Sequence, residues 1–215
     1  MNGSEYIPPF DVTDKMSALI SDISEKAEQI GNDYYILKKR PFLRRNNRIR
    51  SIYSSLAIEA NSLSNEEVRA VIDGKIVLGS QREIREVQNA YRAYELIGEF
   101  NPYSLEDLKK LHGIMTNMLV EESGKFRSGE EGVFDGSKCI FVAPPARLIP
   151  ELMKSLFFWL NNSRNILNPL IASSVFHYEF VFIHPFADGN GRMARLWQTA
   201  LLADYEDFFQ YIPVE

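Results

Sequence analysis

The sequence predicts an all-α fold with one small β-hairpin flap, and two observations carry this. Apolar residues recur at helical spacing through most of the chain. Residues 124–145 interrupt that rhythm with four glycines, the adjacent Pro144 and Pro145 and the β-prone run Cys139-Ile140-Phe141-Val142. No internal repeat and no long linker divides the chain.

From Asp11 to about Ile30, Met16, Leu19, Ile20, Ile23, Ala27 and Ile30 form one helical stripe. Pro41 is expected to break the next segment. A second helix then runs from near Arg44 to Asn61, with Ile49, Ile52, Leu56 and Ala57 on its apolar face. Ser64 and Glu67 have capping-box spacing and start a short helix that stops at Gly74. A long amphipathic helix follows from Arg82 to Phe100, with Ile84, Val87, Tyr91, Tyr94 and Ile97 facing one way. Ser104 caps another, carrying Leu105, Leu108, Leu111, Met115 and Met118. After the flap, helices are expected at Pro150–Asn161, Pro169–Ile183 and Asn190–Ala203. Residues 171–186 are apolar nearly all round, which predicts a central, buried helix.

Composition narrows the function. Of 215 residues, 45% are hydrophobic and 25% charged, which excludes a disordered or low-complexity chain. A net charge of −5 disfavours general nucleic-acid coating. One cysteine excludes an internal disulfide and a multi-cysteine metal site. Neither a signal peptide nor an apolar run of membrane-spanning length is visible, so the chain is expected to be cytoplasmic. Seven of its 24 basic residues lie between Lys38 and Arg50. They read either as a phosphate-binding patch or as a solvated helix face paired with acids elsewhere, and the second reading is preferred.

The densest chemistry is His184-Pro185-Phe186-Ala187-Asp188-Gly189-Asn190-Gly191-Arg192-Met193-Ala194-Arg195. His184 follows a long apolar helix and so lies at the lip of the core. Gly189-Asn190-Gly191 opens a new helix, and the free amides of a helix start bind phosphate well. Arg192 and Arg195, three apart, share a face from which they can clamp further phosphate oxygens. A carboxylate beside a polyphosphate, here Asp188, usually holds Mg²⁺. An imidazole close by can take a proton from an incoming hydroxyl near neutral pH. The sum is a nucleoside triphosphate–Mg²⁺ site with a general base. It is not a P-loop, because GxxxxGK[ST] is missing.

These twelve residues resemble the complete signature of the Fic family, HxFx[D/E]GNGRxxR, at every specified position. The resemblance extends from about Arg48 to the C-terminus and includes Phe176-His177-Tyr178-Glu179-Phe180, Leu196-Trp197 and the flap ending in Ala143-Pro144-Pro145. It implies a Fic-type helical bundle that transfers AMP from ATP to a Ser, Thr or Tyr hydroxyl of a target protein. It implies His184 as the base, Asp188 as the Mg²⁺ ligand, and Gly189, Asn190 and Gly191 as the anion hole. Arg192 and Arg195 would bind phosphates, Arg195 the terminal one, and Phe186 would anchor the core. Cys139, Ile140, Phe141 and Val142 would align the target chain by strand addition. Doc-type kinases on this scaffold carry Lys in place of the second Gly, so Gly191 favours AMP transfer over phosphate transfer. A nucleotide-binding regulatory module without turnover is the non-enzymatic alternative.

Ser55 and Glu59 resemble the family's inhibitory motif, [S/T]xxxE[G/N], with Ala60 in place of Gly or Asn. At i and i+4 they would share a helical face, and Glu59 would pair with Arg195 and keep the γ-phosphate from seating. The expected organisation is an N-terminal helical region at residues 1–43 and a Fic domain at 44–215, with the inhibitory helix near 47–61. The family usually continues into another helix that contacts adenine, so the domain is expected to be C-terminally short. Expected partners are ATP, a target protein and a second copy in a homodimer, without nucleic acid or membrane. His177 is read as a core histidine rather than a metal ligand, His112 has no motif around it, and Cys139 is read as structural.

Overall fold

The computed structural model describes the backbone of residues 6–38, 41–135 and 138–213, and the side chains of 6–30, 41–132 and 141–213. Among these residues eight α-helices carry the core and one hairpin lies outside it. Helices α7 (Pro169–Ile183) and α8 (Asn190–Tyr205) pack side by side at the centre. Helix α6 (Ile149–Ser163) lies on α7, while α2 (Pro41–Ile58), α4 (Gln81–Glu95) and α5 (Leu105–Met115) surround α8 and one another. Short α3 (Asn65–Ile72) bridges α2 and α4. Ile49, Val87, Leu108, Leu111, Met153, Phe176, Phe180 and Trp197 are among the core residues these faces bury. No helix among the described residues is long and apolar enough to cross a membrane.

Local chemistry sets the ends. Ser64 and Glu67 form the expected reciprocal capping box on α3. Ser80, Ser104 and Asn168 cap α4, α5 and α7 with their side chains. Pro41 starts α2 rather than breaking it, because the first helical position needs no N–H donor. Helix α2 ends at Ile58, short of Asn61, and Ala57 is exposed instead of joining its apolar face. Helix α4 ends at Glu95 and tightens into a 3₁₀ turn at Ile97–Glu99, so the expected single helix to Phe100 is two pieces. Helix α5 stops at Met115, which leaves Met118 exposed with a φ of 60°.

Helix α1 (Asp14–Lys38) runs past Ile30. Its stripe is only half covered: Ala27 and Ile30 pack on Leu202, Phe208 and Phe209, whereas Leu19 and Ile23 are exposed. The expectation of an all-round buried α7 also fails. Phe176, Phe180 and Ile183 are buried, but Tyr178, Val181 and Phe182 face outward toward the flap. That flap pairs β1 (Gly132–Asp135) with β2 (Lys138–Val142) in antiparallel register, Gly132 opposite Val142 and Val133 opposite Phe141.

Candidate active site

Helix α7 ends at Ile183 because the next turn contains Pro185. His184 caps it in the left-handed region (φ 51°, ψ 60°), its N–H bonded to the Phe180 carbonyl at 3.0 Å. Few residues other than glycine adopt that conformation, so the surroundings must fix it. Buried Arg127 does so. Its Nε donates to the His184 carbonyl at 2.7 Å, Nη1 to Gly129 at 2.7 Å and Nη2 to Pro144 at 2.6 Å. One guanidinium thus ties the His184 turn to both ends of the flap.

The next turn is built on Phe186. The Asn190 side chain accepts from the Phe186 N–H at 3.0 Å and donates to its carbonyl at 2.6 Å. The Phe186 ring is fully buried and stacks on His112, with centroids 3.6 Å apart. The Gly124 N–H donates to His112 Nδ1 at 2.9 Å, so the ring proton sits on Nε2 and is donated to the Asp188 carbonyl at 3.0 Å. Burial pushes His112 down to about 4, which keeps it neutral.

Helix α8 starts at Gly189, whose φ of 82° is left-handed and whose absent Cβ would lie 2.9 Å from the Thr116 methyl. No side chain caps this start, so its first amides are left for another acceptor. An acceptor is already nearby. A Cβ on Gly191 would collide with Glu59 Oε1, so the Glu59 carboxylate lies directly over the helix start. Arg195 holds it there: Nη2 donates to Glu59 Oε1 at 2.6 Å and to the Ser55 carbonyl at 3.0 Å, and Nε donates to Ser55 Oγ at 2.9 Å. Glu59 stands one residue beyond α2, and its side chain is 38% exposed.

Asp188 Oδ1 accepts from the Gly189 N–H at 2.5 Å and from Arg192 Nη2 at 2.7 Å, while Oδ2 accepts from Arg82 Nη2 at 2.8 Å. Arg192 is turned inward, its side chain 4% exposed. Its Nε and Nη1 are buried without a hydrogen-bond partner, and Glu86 approaches Nη1 only to 3.8 Å. The His184 ring is half-buried, and burial lowers its pKa from the ordinary imidazole value. Its Nδ1 is buried and makes no hydrogen bond at standard distance, although the Val181 carbonyl lies near enough to favour the protonated ring.

Phe141 of the flap packs on Phe182 of α7, with ring centroids 5.2 Å apart, and closes one side of a cavity of about 440 Å³ lined by Tyr178, Val181 and His177. Val142 is exposed. The side chains of Cys139 and Ile140 lie outside the described residues. His177 bonds Gln198 through Nδ1 at 2.8 Å. No group of three His, Cys, Asp or Glu side chains is poised for a metal among the described residues.

His184, Asp188, Gly189, Gly191, Arg192 and Arg195 thus surround one loop and helix start, and Ser55 from α2 and Glu59 from the turn after it join them. Asn190 contributes through its backbone, because its side chain is consumed in shaping the loop. Sequence spacing missed Arg127, His112, Arg82 and Glu86. Their partners are backbone carbonyls or distant side chains, which leave no local pattern.

Fold and site define a helical domain with an anion-accepting helix start beside a histidine, covered by a carboxylate of the same chain. Residues 102–202 match the model of the Fic/DOC family. It is 47% identical to a Fic family protein from Desulfovibrio desulfuricans G20, with a TM-score of 0.88 over 97% of this chain and 63% of that one. It is 29% identical over 194 residues to the protein adenylyltransferase fic-1 of Caenorhabditis briggsae, covering 84% of this chain and 37% of that protein. The corresponding protein of Caenorhabditis elegans is 30% identical over 155 residues, covering 67% of this chain and 30% of that protein. The chain therefore spans about a third of the length of these curated relatives.

Proposed function

We propose that residues 44–215 form the catalytic unit of a protein adenylyltransferase, restrained by the helix near residues 47–61, which moves AMP from ATP to a Ser, Thr or Tyr hydroxyl of another protein. The names of the relatives support the reaction class. The observation that carries the reading is Glu59 over Gly191 and bonded to Arg195: a carboxylate of the chain stands where a phosphate of ATP would meet the start of α8.

In this reading His184, neutral near pH 7, takes the proton of the target hydroxyl. Nε2 is the nitrogen left for it, since Nδ1 is buried. The hydroxyl oxygen bonds to the α-phosphorus as the bond from that phosphorus to the bridging oxygen breaks, and pyrophosphate leaves. The uncapped amides at the start of α8 would face the charge that builds up on the phosphates, and Arg192, bonded to Asp188, adds positive charge beside them. Asp188 suits Mg²⁺, a hard cation that takes one or two carboxylates together with substrate phosphates. Its Oδ2 is held only by the exposed Arg82, which can leave without uncovering a buried charge. Bound there, Mg²⁺ would neutralise phosphate charge during transfer.

The test uses ATP labelled at the α- or the γ-phosphate. Protein label from α and not from γ is expected, and His184→Ala should lower it about 10²–10⁴-fold while ATP still binds. Label from γ alone means phosphate transfer instead, and none with either ATP means a binding module. Glu59→Gly should raise α-labelling by about 5–150-fold, the range of ordinary allosteric couplings. Arg195→Ala should cancel that gain, and equal labelling with and without Glu59 would end the restraint hypothesis.

A further inference from the structure

The N-terminal half of α2 carries a cationic site well away from His184. A cavity of about 250 Å³ lies between α2, α4 and the C-terminal turn, lined by Pro41, Arg44, Arg45, Arg48, Tyr91 and Tyr211. Three guanidinium groups share it, and among the described residues only Arg45 has an acid. Arg45 is hydrogen-bonded to Asp73, and the nearby Glu95 is directed at the Tyr91 hydroxyl. Among the described residues Arg44 bonds the Tyr211 hydroxyl at 3.4 Å and stands over the Tyr211 ring at 5.4 Å. Arg48 has no hydrogen bond or ion pair among the described residues and stands over the Tyr211 ring at 5.5 Å. The Nε atoms of both Arg44 and Arg48 are buried without a hydrogen-bond partner.

Buried guanidinium nitrogens are costly to leave unmade, and in native proteins most polar atoms this buried find a partner. These Nε atoms are closed to solvent, and what an anion entering the cavity would meet is the positive charge of Arg44 and Arg48 in its lining. Two cations without an acid among the described residues match a dianion, and a phosphate monoester carries about 1.5–2 negative charges near pH 7. A lone carboxylate would leave one guanidinium unanswered. The planar forks of Arg44 and Arg48 suit paired phosphate oxygens. Tyr91 and Tyr211 supply flat walls for an organic portion, in a space below the roughly 300–1,000 Å³ of drug-sized pockets. We propose that this cavity is a second anion site, taking the phosphate group of a small phosphorylated molecule. The site is separate from the α8 start, since Arg48 precedes Ser55 by two helical turns, about 10 Å along α2. Its occupant would nevertheless touch the same helix that supplies Ser55 and leads into Glu59. Of the basic run, Arg45 meets the expected pairing with an acid, whereas Arg44 and Arg48 have none among the described residues.

Titration calorimetry with pyrophosphate on the full chain tests the site. The proteins compared are unmutated, Arg195→Ala, Arg48→Gln and the double variant, with circular dichroism confirming each fold. Arg195→Ala should keep a binding event that Arg48→Gln weakens at least about tenfold, as expected for loss of a charge-assisted hydrogen bond. Arg44→Gln should weaken the same event, which guards against a fault peculiar to one variant. Repeating the titration with ADP names the source: tighter ADP binding points to a nucleotide, equal binding to a bare phosphate group. Loss of all binding in Arg195→Ala, or identical binding with and without Arg48, would overturn the proposal.

Discussion

Arg127 shows how a single side chain decides the geometry of His184. Its three donors end on carbonyls of residues 184, 129 and 144, and its own N–H reaches the Pro185 carbonyl at 3.0 Å. Lys can satisfy only part of this set from a point charge, so Arg127→Lys should fold while letting the His184 turn and the flap drift apart. Misplacement on the ångström scale costs up to about 100-fold in rate. The expected result is a fall in kcat of that order with an unchanged KM for ATP. Steady-state kinetics that showed only a raised KM would remove Arg127 from the positioning role. The twelve residues from His184 to Arg195 were legible because they are contiguous and each has a chemical type its task demands. Arg127 was not, because a guanidinium that serves backbone carbonyls has no sequence partner to reveal it. His112 was hidden for the same reason: its ring bonds the Gly124 amide and the Asp188 carbonyl.

At the scale of the element, the end of α2 explains a feature that sequence spacing misread. The N–H of Asn61 bonds the Leu56 carbonyl at 3.1 Å and that of Ala60 bonds Ala57 at 3.1 Å, the two bonds of a Schellman turn. Ala60 occupies its left-handed position with a φ of 63°. The position that holds Gly or Asn in the family's motif thus answers a backbone requirement, which Ala60 meets here under strain. The same turn takes Glu59 off the helix and over Gly191. Relieving the Cβ strain at Ala60, less the entropy glycine adds to the unfolded chain, should leave a net gain of about 0.5–1 kcal/mol for Ala60→Gly. Thermal unfolding should shift up by about 2 °C, and under the proposed restraint a firmer turn should lower α-labelling. A lower melting temperature would contradict the capping account. The start of α2 was misplaced for a comparable reason: Pro41 looks like a breaker in sequence and acts as a first-turn residue in the fold.

For the whole molecule, the three histidines couple stability to pH in one direction. Burial lowers the pKa of His112, His177 and His184 alike, and His112 furthest, to about 4. In the unfolded chain each returns to about 6.5. Between those values the unfolded state binds more protons than the folded state, so stability rises with pH through the window. The contribution is fully present above about pH 6.5 and is lost as pH falls toward 4. Some carboxylates act with the same sign but lower on the scale: Glu83 is held near 2 by hydrogen bonds from Ser62 and Ser80, and Asp73 and Asp107 are lowered by Arg45 and Lys110. Their stabilisation fades only below about pH 4.5. Loss between pH 6.5 and 5 is therefore the signature of histidine. The shift at His112 corresponds to about 3 kcal/mol over its full range, a large part of the roughly 5–15 kcal/mol that holds a domain folded. Urea unfolding followed by circular dichroism should show the free energy falling steadily from pH 7 to pH 5. His112→Asn should be less stable at pH 7, because it forfeits the stack on Phe186 and the bond to Asp188, yet its stability should change less across that window. A flat profile in the unmutated protein, or an equal slope in the variant, would show that His112 is not the neutral keystone between α5 and the loop that carries Asp188.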